Sequence, residues 1–136
     1  MSQRPIPIPD PATQPYWEGA SAAKLRLPRC RDCGRAHFYP RAICPHCRSA
    51  NLEWIDAAGT GTVFSYTVVH RAPSPAFAAL VPYAVAIVAL DEGPHLMSNI
   101  VDCAADDVRI GMKVRARFID LDDSARLPVF APVAAS

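Results

Sequence analysis

Two Cys-x-x-Cys pairs constrain this chain most: Cys30-Arg-Asp-Cys33, ten intervening residues, then Cys44-Pro-His-Cys47. Each pair makes a tight turn that presents two sulfurs, and the hairpin between them brings both turns to one metal. Gly34 follows the second cysteine, where a backbone folding its amides toward thiolates calls for a positive φ. Arg29, Arg31, Arg35 and Arg48 crowd the site, and their field favours thiolate over thiol. Four cysteines close a tetrahedral shell and leave no position for a reacting water, so the expected site is a structural Zn2+. A rubredoxin-like iron site, a redox disulfide pair and a site that has lost its metal are the alternatives. His37 and His46 are less suited as ligands, because four sulfurs already complete the count.

At 136 residues, half of them apolar, the chain can build one compact domain with a small satellite. No apolar run reaches the roughly 18 residues of a membrane helix; the longest, Tyr83 to Leu90, has strand length. No membrane role is expected. The N-terminal stretch lacks the apolar segment of a signal peptide. An odd cysteine count, four in metal spacing and Cys103 alone, suits a reducing compartment, so the expected location is cytoplasmic. Net charge is +1, yet Lys24 to Arg48 carries seven basic residues against Asp32 alone, a local charge of +6. Such a patch seeks phosphates or an acidic protein face, or else serves only to keep a small module solvated.

Residues 1–12 are punctuated by Pro5, Pro7, Pro9 and Pro11, which favours an extended arm. Thr13 can cap a short helix with Pro15 in its first turn, and Tyr16, Trp17, Ala20 and Ala23 recur at roughly helical spacing. A short helix ahead of the main core cannot bury its apolar face alone, which makes Tyr16 and Trp17 candidate partner contacts. Leu25 to Leu27 and His37 to Tyr39 are expected as short ribbon strands, with Asn51 to Asp56 as an alternating strand leaving the ribbon. From Gly59 the pattern is all-β. Gly59 to Gly61 reads as a turn or bulge. Strands are expected over Thr62–His70, Tyr83–Leu90 (apolar enough to be covered on both faces), Pro94–Val101, Met112–Ile119 and Leu127–Pro132. Phe64 and Tyr66 are placed on one strand face. A helical turn at most is expected over Ala104–Asp107. Five short strands with a weak helical turn after the third suggest a small Greek-key barrel of OB type. The expected division is an arm and helix over 1–23, a ribbon over 24–56 and a barrel over 57–136.

In order along the chain stand a proline-led Tyr16-Trp17 helix, the Cys30/33/44/47 ribbon, Gly-Thr-Gly-Thr-Val-Phe-Ser-Tyr-Thr-Val-Val-His70, Pro-Tyr83, Leu-Asp-Glu-Gly93, Ile-Gly-Met112 and Pro-Val-Phe-Ala-Pro132. Together they resemble the DUF35 family of zinc-ribbon plus OB-fold proteins, over nearly the whole chain. The resemblance implies a mainly β protein with an N-terminal helix, a rubredoxin-like zinc ribbon and a C-terminal five-stranded OB-fold. It also implies a hetero-oligomer with an acyl-CoA enzyme, thiolase-like or MaoC-like, in which the OB domain helps hold the CoA thioester. Ala131 departs from it, since an arginine is expected near that point to contact phosphate.

No nucleophile and base can be assembled from the residues. Ser65, Ser74 and Ser98 lie in no nucleophile elbow, and the paired carboxylates Asp91/Glu92, Asp106/Asp107 and Asp122/Asp123 fall in turns. His70 has the best position for proton transfer, with nothing in the sequence to orient it. The chain is expected to be non-catalytic, with no enzyme activity of its own. Two binding classes remain. An acyl-CoA accessory subunit would use His70, Arg71, Phe77, Pro82 and Tyr83, around the proline-broken loop 71–82, as ligand contacts. Tyr16, Trp17, Phe77 and Leu80 would be its partner contacts. A single-stranded nucleic-acid binder would stack bases on Phe64 and Tyr66. Against that alternative, residues 56–136 hold six basic and nine acidic side chains, a net charge of −3, the wrong sign for tracking phosphates.

Overall fold

The computed structural model describes residues 7–121 and 125–133. Helix α1 (Gln14–Ser21) is followed by a two-stranded ribbon, β1 (Arg26–Cys30) with β2 (Leu52–Asp56). These run antiparallel, with Leu27 opposite Ile55 and Cys30 opposite Leu52. The rest forms a closed barrel of β3 (Thr60–Val69), β4 (Tyr83–Leu90), β5 (His95–Ile100), β6 (Lys113–Asp120) and β7 (Arg126–Pro132). Around the barrel the order is β3-β4-β5-β7-β6, β6 returning to pair with β3. The β5–β7 pairing, Ile100 opposite Phe130, is parallel and the others are antiparallel. This is the expected five-stranded OB-type barrel, with a 3-10 turn (Ala105–Asp107) after its third strand.

One apolar core runs through all three parts. Val63, Ala84, Ala86, Val88, Leu96, Val114 and Phe130 fill the barrel, and Tyr16, Leu25 and Leu27 join the same cluster from the helix and ribbon. The helix therefore buries its face within this chain. Tyr16, Gly19 and Ala20 are buried, and α1 packs against β1 and β7. Tyr16, expected as a partner contact, is 4% exposed, so its side chain is a core residue and is not offered to a partner.

Several local expectations are corrected. Thr13 does not cap the helix through its side chain; its hydroxyl instead accepts from the Asp10 N–H (3.1 Å) and donates to Oδ1 of Asp10 (3.0 Å). Ala23 lies past the helix end at φ 60°. His37 to Tyr39 form no strand, the ribbon keeping there a single bridge between Arg29 and Ala36, because the chain turns to bury His37 and to pack Phe38 against the core. The bulge falls at Phe64, between the pairs Val63–Val88 and Ser65–Ile87. It places Tyr66 against the core while Phe64 stays 57% exposed, so the two rings do not share a face. Strand β4 alternates between buried and half-buried positions, its outer face being only partly covered. The arm before residue 7 and the acidic pair Asp122/Asp123 lie outside the described residues.

Gly61 sits inside β3, where a Cβ would lie 2.6 Å from the carbonyl oxygen of Ala89 and 2.8 Å from Val88 Cγ1. The obstacle is the backbone of the paired strand, which cannot yield as a side-chain tip would. Gly61→Ala is expected to destabilise the barrel by about 1–3 kcal/mol, as overpacking does. Urea unfolding followed by tryptophan fluorescence checks this, and an unchanged midpoint contradicts it.

Candidate metal centre and aromatic groove

The ribbon builds its sulfur cluster from two similar knuckles. In the first, Gly34 N–H donates to the Cys30 carbonyl (2.9 Å) and Cys30 N–H to that of Arg35 (2.9 Å). In the second, Arg48 N–H donates to the Cys44 carbonyl (2.9 Å) and Cys44 N–H to that of Ser49 (2.8 Å). Each knuckle ends on a left-handed residue, Gly34 at φ 76° and Arg48 at φ 67°. Glycine meets that requirement freely, whereas arginine meets it at a conformational cost. Arg48 was visible in sequence only as a positive charge. Its place directly after Cys47, matching Gly34 after Cys33, is the signal that would have revealed its backbone role.

The four sulfurs lie within 4.8 Å of one another. Cys30 Sγ and Cys47 Sγ are 3.5 Å apart, and Cys33 Sγ and Cys44 Sγ 3.7 Å. A tetrahedron with metal–sulfur bonds of about 2.3 Å has edges of roughly 3.8 Å, so these spacings fit a metal. Backbone amides point at the sulfurs, Cys33 N–H to Cys30 Sγ and His46 N–H to Cys44 Sγ, each at 3.4 Å. The Cys30 thiol is lowered to about 7, chiefly by the Cys33 amide. Cys47 goes the other way, to about 12: the Ser49 amide pulls it down, but the Cys30 sulfur, burial and the remaining thiols outweigh that pull. Asp32 ties the knuckles together by accepting from Ser49 Oγ (2.5 Å) and Asn51 Nδ2 (3.3 Å). Neither His37 nor His46 belongs to the cluster.

A second feature lies where helix, ribbon and barrel meet. Six aromatic side chains, Tyr16, Trp17, Phe38, Tyr39, Phe77 and Tyr83, line an open groove of about 590 Å³, floored by Val85, Leu96, Met97 and Leu127. The rings pack as a chain. Tyr16 meets Trp17 edge-on at 4.9 Å and Phe38 at 5.3 Å, and Phe38 meets Tyr39 at 5.2 Å. Across the groove Phe77 and Tyr83 stand 6.0 Å apart. Burial, then the neighbouring Tyr39, pushes the Tyr16 hydroxyl well above its usual range. Tyr39 and Met97 are 50% and 67% exposed.

The groove thus gathers Trp17, Phe77 and Tyr83, with Tyr16 as part of its buried wall. It does not gather His70, Arg71, Leu80 or Pro82, which are exposed around the loop after β3. No hydrogen bond or ion pair among the described residues orients His70. Sequence reasoning missed Phe38, Tyr39 and Met97. The outward register of Met97 on β5, opposite Ile87, could have been read from the alternation; the others depend on how the ribbon folds over the barrel.

The comparisons with known proteins agree with this geometry. The family described as "ChsH2, rubredoxin-like zinc ribbon domain" matches residues 17–53, and "ChsH2, C-terminal OB-fold domain" matches residues 54–118. The chain is 40% identical over 129 residues to a "Probable enoyl-CoA hydratase alpha subunit" of Thermomonospora curvata, covering 95% of this chain and 40% of that protein. It is 46% identical over 91 residues to a "DUF35 domain-containing scaffold protein" of Methanocaldococcus jannaschii, covering 66% of this chain and 64% of that one. The chain therefore spans less than two thirds of the length of either relative. A solved structure titled "Ltp2-ChsH2(DUF35) aldolase" superposes with a TM-score of 0.84 at 39% identity, covering 93% of this chain and 98% of that one. With its helix, four-cysteine zinc ribbon and closed OB-fold barrel, the chain belongs to the DUF35 family.

Proposed function

We propose that the chain is a non-catalytic accessory subunit, carrying a structural zinc, that docks on an acyl-CoA enzyme and helps hold its thioester substrate. One observation carries this reading: an aromatic groove open to solvent, with Tyr39, Phe77, Tyr83 and Met97 along it. Exposed apolar surface of this kind marks an interaction site. The similar proteins named as a hydratase subunit, as scaffold proteins and as part of an aldolase support an enzyme partner; its thiolase-like or MaoC-like type is what the family resemblance implies. The Tyr39, Phe77 and Met97 side chains would enter the partner surface, Trp17 would back them from the helix, and Leu80 (39% exposed) would extend the contact along the loop. His70 and Arg71, at the other end of that loop, and Pro82, just before β4, would then face the thioester arm.

Zinc fits the cluster because four thiolates suit a borderline-soft divalent ion of tetrahedral habit. Freshly purified protein is expected to carry one zinc per chain, and Cys47→Ser to lose it. Loss should open the knuckles while the barrel, filled by its own side chains, stays folded. Metal analysis with circular dichroism reads both effects; iron in place of zinc would overturn the identity of the metal, and no metal with intact thiols would overturn the site.

Docking predicts that Phe77→Ala weakens the hetero-complex by about 2 kcal/mol, roughly 30-fold. Met97→Asp, at a position exposed in the free chain, should weaken it as much without changing the chain's own melting temperature. Pull-down of the co-purifying enzyme and its turnover with and without this chain supply the readout. Full affinity in both variants, with a partner equally active alone, would sink the proposal.

The ligand class is tested by competition. The complex should bind acyl-CoA more tightly than a single-stranded oligonucleotide at about 150 mM salt. Phe64 and Tyr66, on opposite sides of β3, offer no shared stacking platform. Micromolar oligonucleotide binding with a steep salt slope and no CoA binding would reverse the assignment.

A further inference from the structure

A cleft of about 620 Å³ opens between the ribbon and the turn joining β4 to β5. Arg35, His37, Arg41 and His46 line its ribbon side, Glu92 and His95 its barrel side. Three of the chain's four histidines meet here, and none of them is used by the sulfur cluster.

Folding decides which ribbon cations remain available. Lys24 and Arg26 pair with Asp56, and Arg29 and Arg31 with Glu53. Arg35 and Arg41 make no ion pair among the described residues. The acid they share the cleft with, Glu92, already accepts the Ala58 N–H through Oε2 (2.9 Å). Two guanidiniums therefore face one carboxylate, an excess of positive charge before any histidine is counted.

An independent observation points to a ligand. His37 is 3% exposed, yet neither ring nitrogen makes a hydrogen bond, and Glu92 Oε1 is likewise buried without a partner. A backbone group of Arg41 comes close to the His37 ring without reaching hydrogen-bond geometry. Burial first, then His46 and Arg41, lowers the pKa of His37, which favours the neutral ring with its one donor and one acceptor. A buried polar atom left unpaired keeps its full desolvation cost. Here three such atoms belong to side chains lining a single cleft.

We propose that this cleft binds a phosphate monoester carried on a hydroxyl-bearing sugar, as in a nucleotide. Arg35 and Arg41 take the phosphate oxygens in the planar, paired manner that guanidinium allows. His37 donates to the same group, and Glu92 Oε1 accepts from the sugar hydroxyl. Arg41 and His46, both exposed at the rim, swing aside to admit the ligand to the buried atoms. The site stands on its own residues; only CoA as the source of the sugar phosphate rests on the function proposed above.

The test titrates the metal-loaded full chain with adenosine 3′,5′-bisphosphate, CoA, dephospho-CoA and inorganic phosphate, by calorimetry and histidine-ring NMR. The first two should bind and shift the rings of His37 and His95 while leaving His70 in place. Dephospho-CoA, which lacks the ribose monoester, and inorganic phosphate, which lacks the sugar, should each bind at least about ten-fold more weakly. Arg35→Ala and Arg41→Ala should each cost about ten-fold in affinity at unchanged metal content, and Arg115→Ala on β6 nothing. Absence of binding up to millimolar concentration, full affinity in both arginine variants, or inorganic phosphate binding as tightly as the bisphosphate overturns the proposal. Nucleotide binding by a chain that captures no acyl-CoA enzyme keeps this site and removes the docking reading; capture without nucleotide binding does the reverse.

Discussion

Four cysteine sulfurs drawn within 4.8 Å of one another fix how the ribbon closes, and their spacing fits a single metal ion. The rest of the chain's functional surface depends on that closure. The residues between the two knuckles are irregular, with a single bridge to β1; the cluster ties both their ends, and the buried His37 and half-buried Phe38 seat their middle. Those same residues carry Phe38 and Tyr39 to the groove and Arg35, His37 and Arg41 to the cleft. The metal's structural task is therefore to place side chains at some distance from itself.

Charge on the ribbon shows how folding edits a sequence property. The local +6 suggested one broad basic patch, but Glu53 and Asp56, both on β2, lie across from the basic residues of β1 in the antiparallel register. Exposed pairs of this kind add little stability. Their effect is to neutralise the strand pair, while Arg35 and Arg41 stay available beside the turn between β4 and β5.

Much of the architecture was legible because local rules and the global fold agree. Cysteine spacing marked the metal site, period-two alternation marked β6 with its inward face, and the apolar run of β4 marked a strand while suggesting cover on both faces that the structure gives only in part. What was not legible required knowledge of what packs where. Tyr16 and Trp17 are adjacent and similar in type, yet one is core and the other half-exposed, because the helix is seated on β1 and β7. The Phe64 bulge adds one residue to β3, reversing the facing of every side chain after it relative to simple alternation. The aromatic groove draws on residues up to Pro128, and a contact between segments so far apart leaves no periodic trace.

Closure of the barrel also decides how another protein can approach it. β6 returns to β3 over Thr60–Thr62 and β5 meets β7 at Ile100–Phe130, so closure shortens the edge onto which a partner's strand could add. Main-chain hydrogen bonding, which is largely indifferent to side chains, is thereby limited as a means of attachment to the barrel. Recognition then falls chiefly to the groove and loop side chains, and a few substitutions there can redirect the chain to a different enzyme without disturbing the sheet that carries them.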